Sequence, residues 1–169
     1  MDSKSLSLPS SSSTSPTNRW KYDVFLSFRG EDTRYKFTDH LYTTLVQKGI
    51  VTFRDDEKLE RGKLISTEVL QVIKQSRFAI VILSENYVSS TWCLDELAQI
   101  IDCKKALGMT ILPVFHYVEP SDVRGQKRTF EQAFVTHEEC FKEKIESVDK
   151  WRDALRQVGE LAGWHLKNE

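Results

Sequence analysis

Four short apolar runs, each followed by residues at helical spacing or by a polar connection, constrain this chain more than any other feature. Residues 22–28, 50–53, 78–83 and 109–115 have strand length and are rich in β-branched and aromatic side chains. Between them Phe37, Leu41 and Leu45, then Val69, Val72 and Ile73, then Leu94, Leu97 and Ile101, recur with helical spacing. Beyond the fourth run, Phe130, Phe134 and Phe141 share one helical face and Val148, Trp151, Leu155 and Val158 another, and residues 163–166 predict a brief fifth strand. Ser66 and the 89–91 triplet of Ser89, Ser90 and Thr91 suit helix N-caps, and Gly49 and Gly108 suit helix stops. The 119–122 segment reads as a turn. The 55–63 segment reads as a charged connection too polar to be buried. Strands alternating with helices predict a parallel sheet with helices on both faces. Short right-handed crossovers favour the strand order 2-1-3-4-5, a flavodoxin-like three-layer α/β sandwich.

At 169 residues the chain has room for one domain with a substantial core. Residues 1–19 hold too little apolar surface to offset their ordering entropy and are expected to form a disordered Ser/Pro-rich leader, leaving 20–169 as the folded domain. A transit peptide is the alternative, but basic residues are few before Arg19. Lysine and arginine number 24 against 25 acids, which gives no electrostatic case for nucleic acid or an anionic membrane. Cys93, Cys103 and Cys140 follow no metal or redox spacing and read as free thiols. With no apolar run of membrane length and no signal-peptide pattern, the chain is expected inside the cell.

In the predicted strand order, the switch point lies between strands one and three. The 29–34 and 84–91 loops then face each other across one crevice, the place where open α/β sheets bind ligands. Arg29 and Arg34 offer planar donor forks for phosphate oxygens. Trp92 and Glu96, four residues apart, put a stacking surface and a carboxylate on one helix face. A carboxylate near a helix N-terminus is expected to be ionised, suited to hold ribose hydroxyls or to stabilise a growing oxocarbenium ion. Plainer readings stand beside these. A first-turn glutamate is commonly a helix-dipole partner, and the arginines could pair with Glu31 and Asp32. The four histidines are scattered and predict structural or solvent-facing roles. No GxGxxG or P-loop is present, and Ser27-Phe28 and Ser84 stand where a phosphoacceptor receiver domain needs acids.

At these residues the sequence resembles the TIR domain of plant immune receptors. The motif Tyr22-Asp23-Val24-Phe25-Leu26-Ser27-Phe28-Arg29-Gly30 with Asp32-Thr33-Arg34 is similar to the family's opening. Phe53-Arg54-Asp55-Asp56 with Arg61-Gly62 resembles its second strand and BB loop. Ser84-Glu85-Asn86-Tyr87 with Trp92-Cys93-Leu94-Asp95-Glu96-Leu97 resembles the third block. Leu112-Pro113-Val114-Phe115 with Glu119-Pro120-Ser121-Asp122-Val123-Arg124 resembles the fourth. The likeness runs from Tyr22 to Leu166 in order and spacing.

The resemblance implies an NAD+ glycohydrolase of the ADP-ribosyl cyclase/hydrolase type, active when several protomers assemble and signalling cell death in plant innate immunity. It implies Glu96 as the catalytic glutamate. It implies Phe28, Arg29, Gly30, Glu31, Asp32, Thr33 and Arg34, with Gly62 and Trp92, as residues around the substrate. It implies Asp39, His40 and Arg61 in self-association. NAD+ would be substrate rather than cofactor, with NADP+ as a variant, and no metal is implied. Implied partners are other TIR domains and, through the nucleotide product, lipase-like signalling proteins, in cytoplasm or nucleus. Departures from the pattern are Arg128 where relatives often carry glycine, His116 in place of an aromatic residue, and Asp39-His40 where serine-histidine is common. The family's final helix is expected after residue 166, and the chain ends at Glu169. A non-catalytic TIR–TIR scaffold is the alternative function, and a nuclease-like activity is a third that the neutral charge does not support.

Overall fold

The computed structural model describes residues 20–30, 34–55 and 65–167, with backbone alone for Arg34 and Tyr35. The strands are β1 (Tyr22–Ser27), β2 (Thr52–Arg54), β3 (Ser76–Leu83), β4 (Thr110–His116) and β5 (Trp164–Leu166). The helices are α1 (Asp39–Gln47), α2 (Thr67–Lys74), α3 (Thr91–Leu107), α4 (Pro120–Gly125), α5 (Thr129–Cys140) and α6 (Ile145–Gly159). All strand pairs are parallel, and the sheet runs β2-β1-β3-β4-β5, the order predicted from the alternation.

Each boundary has a local cause. Ser66 extends and its side chain accepts the Val69 N–H, so α2 starts where the sequence predicts. Ser90, rather than its two neighbours, caps α3 by accepting the Cys93 N–H at 3.1 Å. Gly108 adopts φ +77°, a left-handed backbone that only glycine takes without strain, and α3 ends there. Two segments differ from expectation. A π-helical turn, Arg34–Thr38, precedes α1 directly. The predicted 119–122 turn is instead the start of a short helix, because Pro120 fits the first helical position and Asp122 suits the first turn.

The two sheet faces are unequal. On one, Phe25, Ala79, Val81, Leu83, Ile111 and Phe115 pack under α2, α3, α5 and α6 in the larger apolar cluster. On the other, Val24, Leu26, Phe28, Ile80, Ile82 and Val114 pack against Phe37, Leu41, Tyr42 and Leu45 of the α1 region. The alternation of β1 therefore sends Phe25 one way and Val24, Leu26 and Phe28 the other. Among the described residues no helix is long and apolar enough to cross a membrane. All three cysteines are free, two buried and Cys140 exposed.

Candidate active site

β1 lies beside β3 with Ser27 opposite Val81, so the strand ends at the switch point are adjacent. Ser27 is the last residue of β1 and is fully buried. Its side chain reaches across the switch point. The Oγ donates to Glu96 Oε1 at 2.8 Å and meets the Tyr87 hydroxyl at 2.7 Å. Tyr87 belongs to the 3-10 turn Tyr87–Ser89 that links β3 to α3, and its hydroxyl also lies 3.2 Å from the Cys93 carbonyl. The ends of β1 and β3 thus meet at the switch point, as the strand order predicts, while residues 31–33 of the loop expected to face the 84–91 segment lie outside the described residues. Ser27, Tyr87 and Glu96 carry the meeting.

Glu96 is the sixth residue of α3 and has no solvent exposure. The sequence reading put it in the first turn; the structure corrects that. Helix-dipole effects fade beyond the first turn, so the dipole-partner reading loses its basis. The carboxylate is instead held at both oxygens, Oε1 by Ser27 and Oε2 by the Trp92 indole N–H at 3.1 Å. The same N–H donates to Asp55 Oδ2 at 2.9 Å. Asp55, just past β2, is 3 % exposed, which corrects for this residue the expectation that the 55–63 connection is too polar to be buried; residues 56–63 lie outside the described residues. A hydrogen bond from a fixed indole offsets its desolvation.

Trp92 is 5 % exposed, so in this structure it serves as a wall and a donor, with little stacking face open. The Phe28 side chain lies in the core below α1, and its carbonyl accepts the Cys93 thiol at 3.5 Å. The Phe28 backbone, rather than its side chain, is thus turned toward α3. Arg29 is half-buried and Gly30 buried at the end of β1. Glu31, Asp32, Thr33, Arg61 and Gly62 lie outside the described residues, as does the Arg34 side chain. On α1, Asp39 pairs with Arg54 of β2, whose guanidinium sits 4.5 Å over the Tyr42 ring, while His40 is exposed.

Burial raises the Tyr87 pKa well above its ordinary value, with the nearby Cys93 and Glu96 adding to the effect and the Ser27 hydrogen bond opposing it. Tyr87 is therefore a neutral phenol at physiological pH. Behind it, His137 Nε2 lies 2.7 Å from the Val88 carbonyl. Phe134, Phe141 and Trp151 surround that imidazole. His137 thus clamps the turn that presents Tyr87, a structural role consistent with its sequence reading. No group of three or more histidine, cysteine or acidic residues among the described residues forms a metal site.

Ser27, Asp55 and Tyr87 were not singled out as site residues from sequence. Each had a signal: Ser27 is a polar residue inside an apolar run, Ser27 and Tyr87 stand at or just after the two strands that flank the switch point, and Asp55 just follows the strand next to β1.

A sequence profile described as TIR domain matches residues 21–169. The chain belongs to the TIR domain family. It is 51 % identical over 162 residues to disease resistance protein RPV1 of Vitis rotundifolia, covering 95 % of this chain and 11 % of that protein. It is also 51 % identical over 151 residues to TMV resistance protein N of Nicotiana glutinosa, covering 89 % of this chain and 13 % of that one. This TIR domain therefore spans roughly a tenth of the length of these relatives. Among solved structures it resembles the TIR domains of the activated Roq1 resistosome that directly recognizes the pathogen effector XopQ. The TM-score is 0.80, at 47 % identity, with 88 % of this chain and 89 % of that one covered.

Proposed function

We propose that this TIR domain is an assembly-gated NAD+ hydrolase that signals cell death in plant innate immunity. The observation that carries the reading is the Glu96 carboxylate, fixed through both oxygens at the switch point of a parallel sheet. Ligands of open α/β sheets bind there, and a preoriented carboxylate stabilises positive charge growing at an anomeric carbon. In this reading Glu96 engages the ribose hydroxyls of the nicotinamide riboside. Nicotinamide departs through an oxocarbenium-like state, and water, or the adenine ring in a cyclising variant, captures the cation. Arg29, with Arg34, holds the diphosphate.

Glu96 has no exposure in the single protomer, so a dinucleotide reaches it only after neighbouring groups move. We assign that opening to self-association, in which the exposed His40 and neighbouring Asp39 of α1 take part. Other TIR domains are then the direct partners. Lipase-like signalling proteins read the nucleotide product, in cytoplasm or nucleus.

The sealed carboxylate also favours a second reading. A glutamate satisfied at both oxygens inside the core serves a scaffold equally well, and the domain would then act only by TIR–TIR contact.

Nicotinamide release from NAD+, measured at stepwise higher protein concentration for wild type and Glu96→Ala, decides between them. The enzyme reading expects release that climbs faster than linearly with protein and vanishes in the variant. Wild type that stays silent when forced to assemble by a fused oligomerising domain supports the scaffold. Equal release from both proteins moves the chemistry to another carboxylate.

A further inference from the structure

Three oxygen–oxygen contacts run in a line from Glu96 into the core. Glu96 Oε1 lies 2.8 Å from Ser27 Oγ, Ser27 Oγ lies 2.7 Å from the Tyr87 hydroxyl, and that hydroxyl lies 3.2 Å from the Cys93 carbonyl. Ser27, Tyr87, Cys93 and Glu96 all have zero exposure, so solvent supplies none of the protons. Each hydrogen bond needs one proton, and the two hydroxyls carry two between them. With Glu96 ionised, three contacts compete for two protons. A third proton, on Glu96 Oε1, completes the line.

Two arrangements follow from this count. With the carboxylate ionised, the Tyr87 hydroxyl donates to Ser27 and the Ser27 hydroxyl donates to Glu96, and the Cys93 carbonyl receives no Tyr87 proton. With Glu96 protonated, every donor reverses: Glu96 donates to Ser27, Ser27 to Tyr87, and Tyr87 to Cys93. The longest contact, at the Cys93 carbonyl, is the one that the ionised arrangement gives up.

We propose that Ser27 and Tyr87 are a two-hydroxyl relay that reverses direction with the charge of Glu96, and are positioning residues for its chemistry. The inference rests on the hydrolase reading for its purpose, since a carboxylate that takes a proton from a ribose hydroxyl or from attacking water changes charge during turnover. That proton is exchanged at Glu96 itself. Each hydroxyl keeps one proton and only rotates, so no charge enters the core. The raised ionisation of Tyr87 fits this, since the phenol stays protonated throughout. Among the titratable groups around Glu96 are Tyr87, which feels the charge of both Glu96 and Cys93, and, across the Trp92 N–H, Asp55.

The relay makes opposite predictions for its two members. Tyr87→Phe keeps the ring but removes two hydrogen bonds from the protonated arrangement, Ser27 to Tyr87 and Tyr87 to Cys93, against one from the ionised arrangement, so protonation becomes harder. Ser27→Ala removes the hydrogen bond at Glu96 Oε1 in both arrangements, and the one to the ionised carboxylate is the stronger, so ionisation becomes harder. The test follows the protonated-carboxyl stretch of Glu96 in infrared difference spectra against pH, assigned by its loss in Glu96→Gln. The pH profile of nicotinamide release is measured in parallel. The midpoint is expected about half a unit to one unit lower in Tyr87→Phe and higher by a similar amount in Ser27→Ala. Shifts in the same direction, or none, overturn the relay. Should Ser27→Ala fail to fold, Tyr87→Phe decides alone: a lower midpoint supports the relay, and an unchanged or higher one overturns it. Release that survives in Glu96→Ala moves the chemistry to another carboxylate and defeats the role of Glu96 in the hydrolase reading, while the infrared midpoints still decide the relay.

Discussion

Asp55 and Glu96 share a single donor, the Trp92 indole N–H, at 2.9 and 3.1 Å. The residue that follows β2 and a residue of α3 are thereby joined through one side chain of α3. Removing that donor leaves two buried carboxylates without it. Trp92→Phe, which retains an aromatic ring, is expected to lower unfolding stability by about 1–3 kcal/mol in urea denaturation. Asp55→Asn keeps an acceptor for the indole and removes one of two like charges on one donor, so its loss should be clearly smaller. Equal losses for the two variants would refute the shared-donor account.

Asp95, one residue before Glu96, sits in the opposite situation. Its Oδ1 accepts the Trp151 indole N–H at 2.9 Å, but burial raises its pKa, with Trp151 and Lys150 opposing that only in part. Above the raised pKa the folded protein carries a desolvated charge that the unfolded chain carries freely, so the site subtracts stability there. As pH falls through the folded pKa toward the ordinary value of 3.8, the folded state takes up the proton first and the penalty disappears. Asp95→Asn preserves the acceptor and deletes the charge. Its melting temperature is expected above wild type at pH 7.5, with the gap closing as the pH is lowered toward 4. A gap that widens in acid contradicts this assignment.

The alternation of residues 22–28, 50–53, 78–83 and 109–115 with helical spacing was enough to place the sheet order, since parallel connections leave few choices. From that order came the meeting of the ends of β1 and β3, and Trp92 and Glu96 do meet on one face of α3. What sequence could not supply was depth. Asp55 reads as the start of a polar connection, and its burial depends on an indole 37 residues away. Ser27 reads as an interruption in an apolar strand, and its purpose depends on Tyr87 and Glu96, 60 and 69 residues on. The helical start at Pro120 was hidden for a different reason, because a proline beside an aspartate signals a turn and a helix N-terminus alike.

Gly159 ends α6 where it crosses α4. A Cβ built there would lie 2.8 Å from both the backbone nitrogen and the Cα of Arg124. Backbone cannot swing aside as a flexible side chain does, so Gly159→Ala should force the helices apart and cost about 1–3 kcal/mol. Gly125→Ala is the control, because the nearest atoms to a Cβ there belong to the flexible Lys127 side chain, at 3.2 Å or more. Thermal melts of the two variants should separate clearly, with only Gly159→Ala showing the larger drop.

His137 reaches from α5 to the turn that carries Tyr87. Its Nε2 donates to the Val88 carbonyl at 2.7 Å, and Val88 is fully buried, so water offers no replacement for the lost bond. His137→Phe fits the surrounding aromatic rings in character but leaves the carbonyl unsatisfied, at a cost of about 1–3 kcal/mol. His137→Gln places an N–H near the position of Nε2 and should recover part of that loss. The effect should also be local. Amide exchange at Val88, Ser89 and Ser90 is expected to accelerate in His137→Phe more than exchange in the α1 segment on the far sheet face. Uniform acceleration across both regions would show that His137 supports the core as a whole rather than the turn that sets Tyr87 against Ser27.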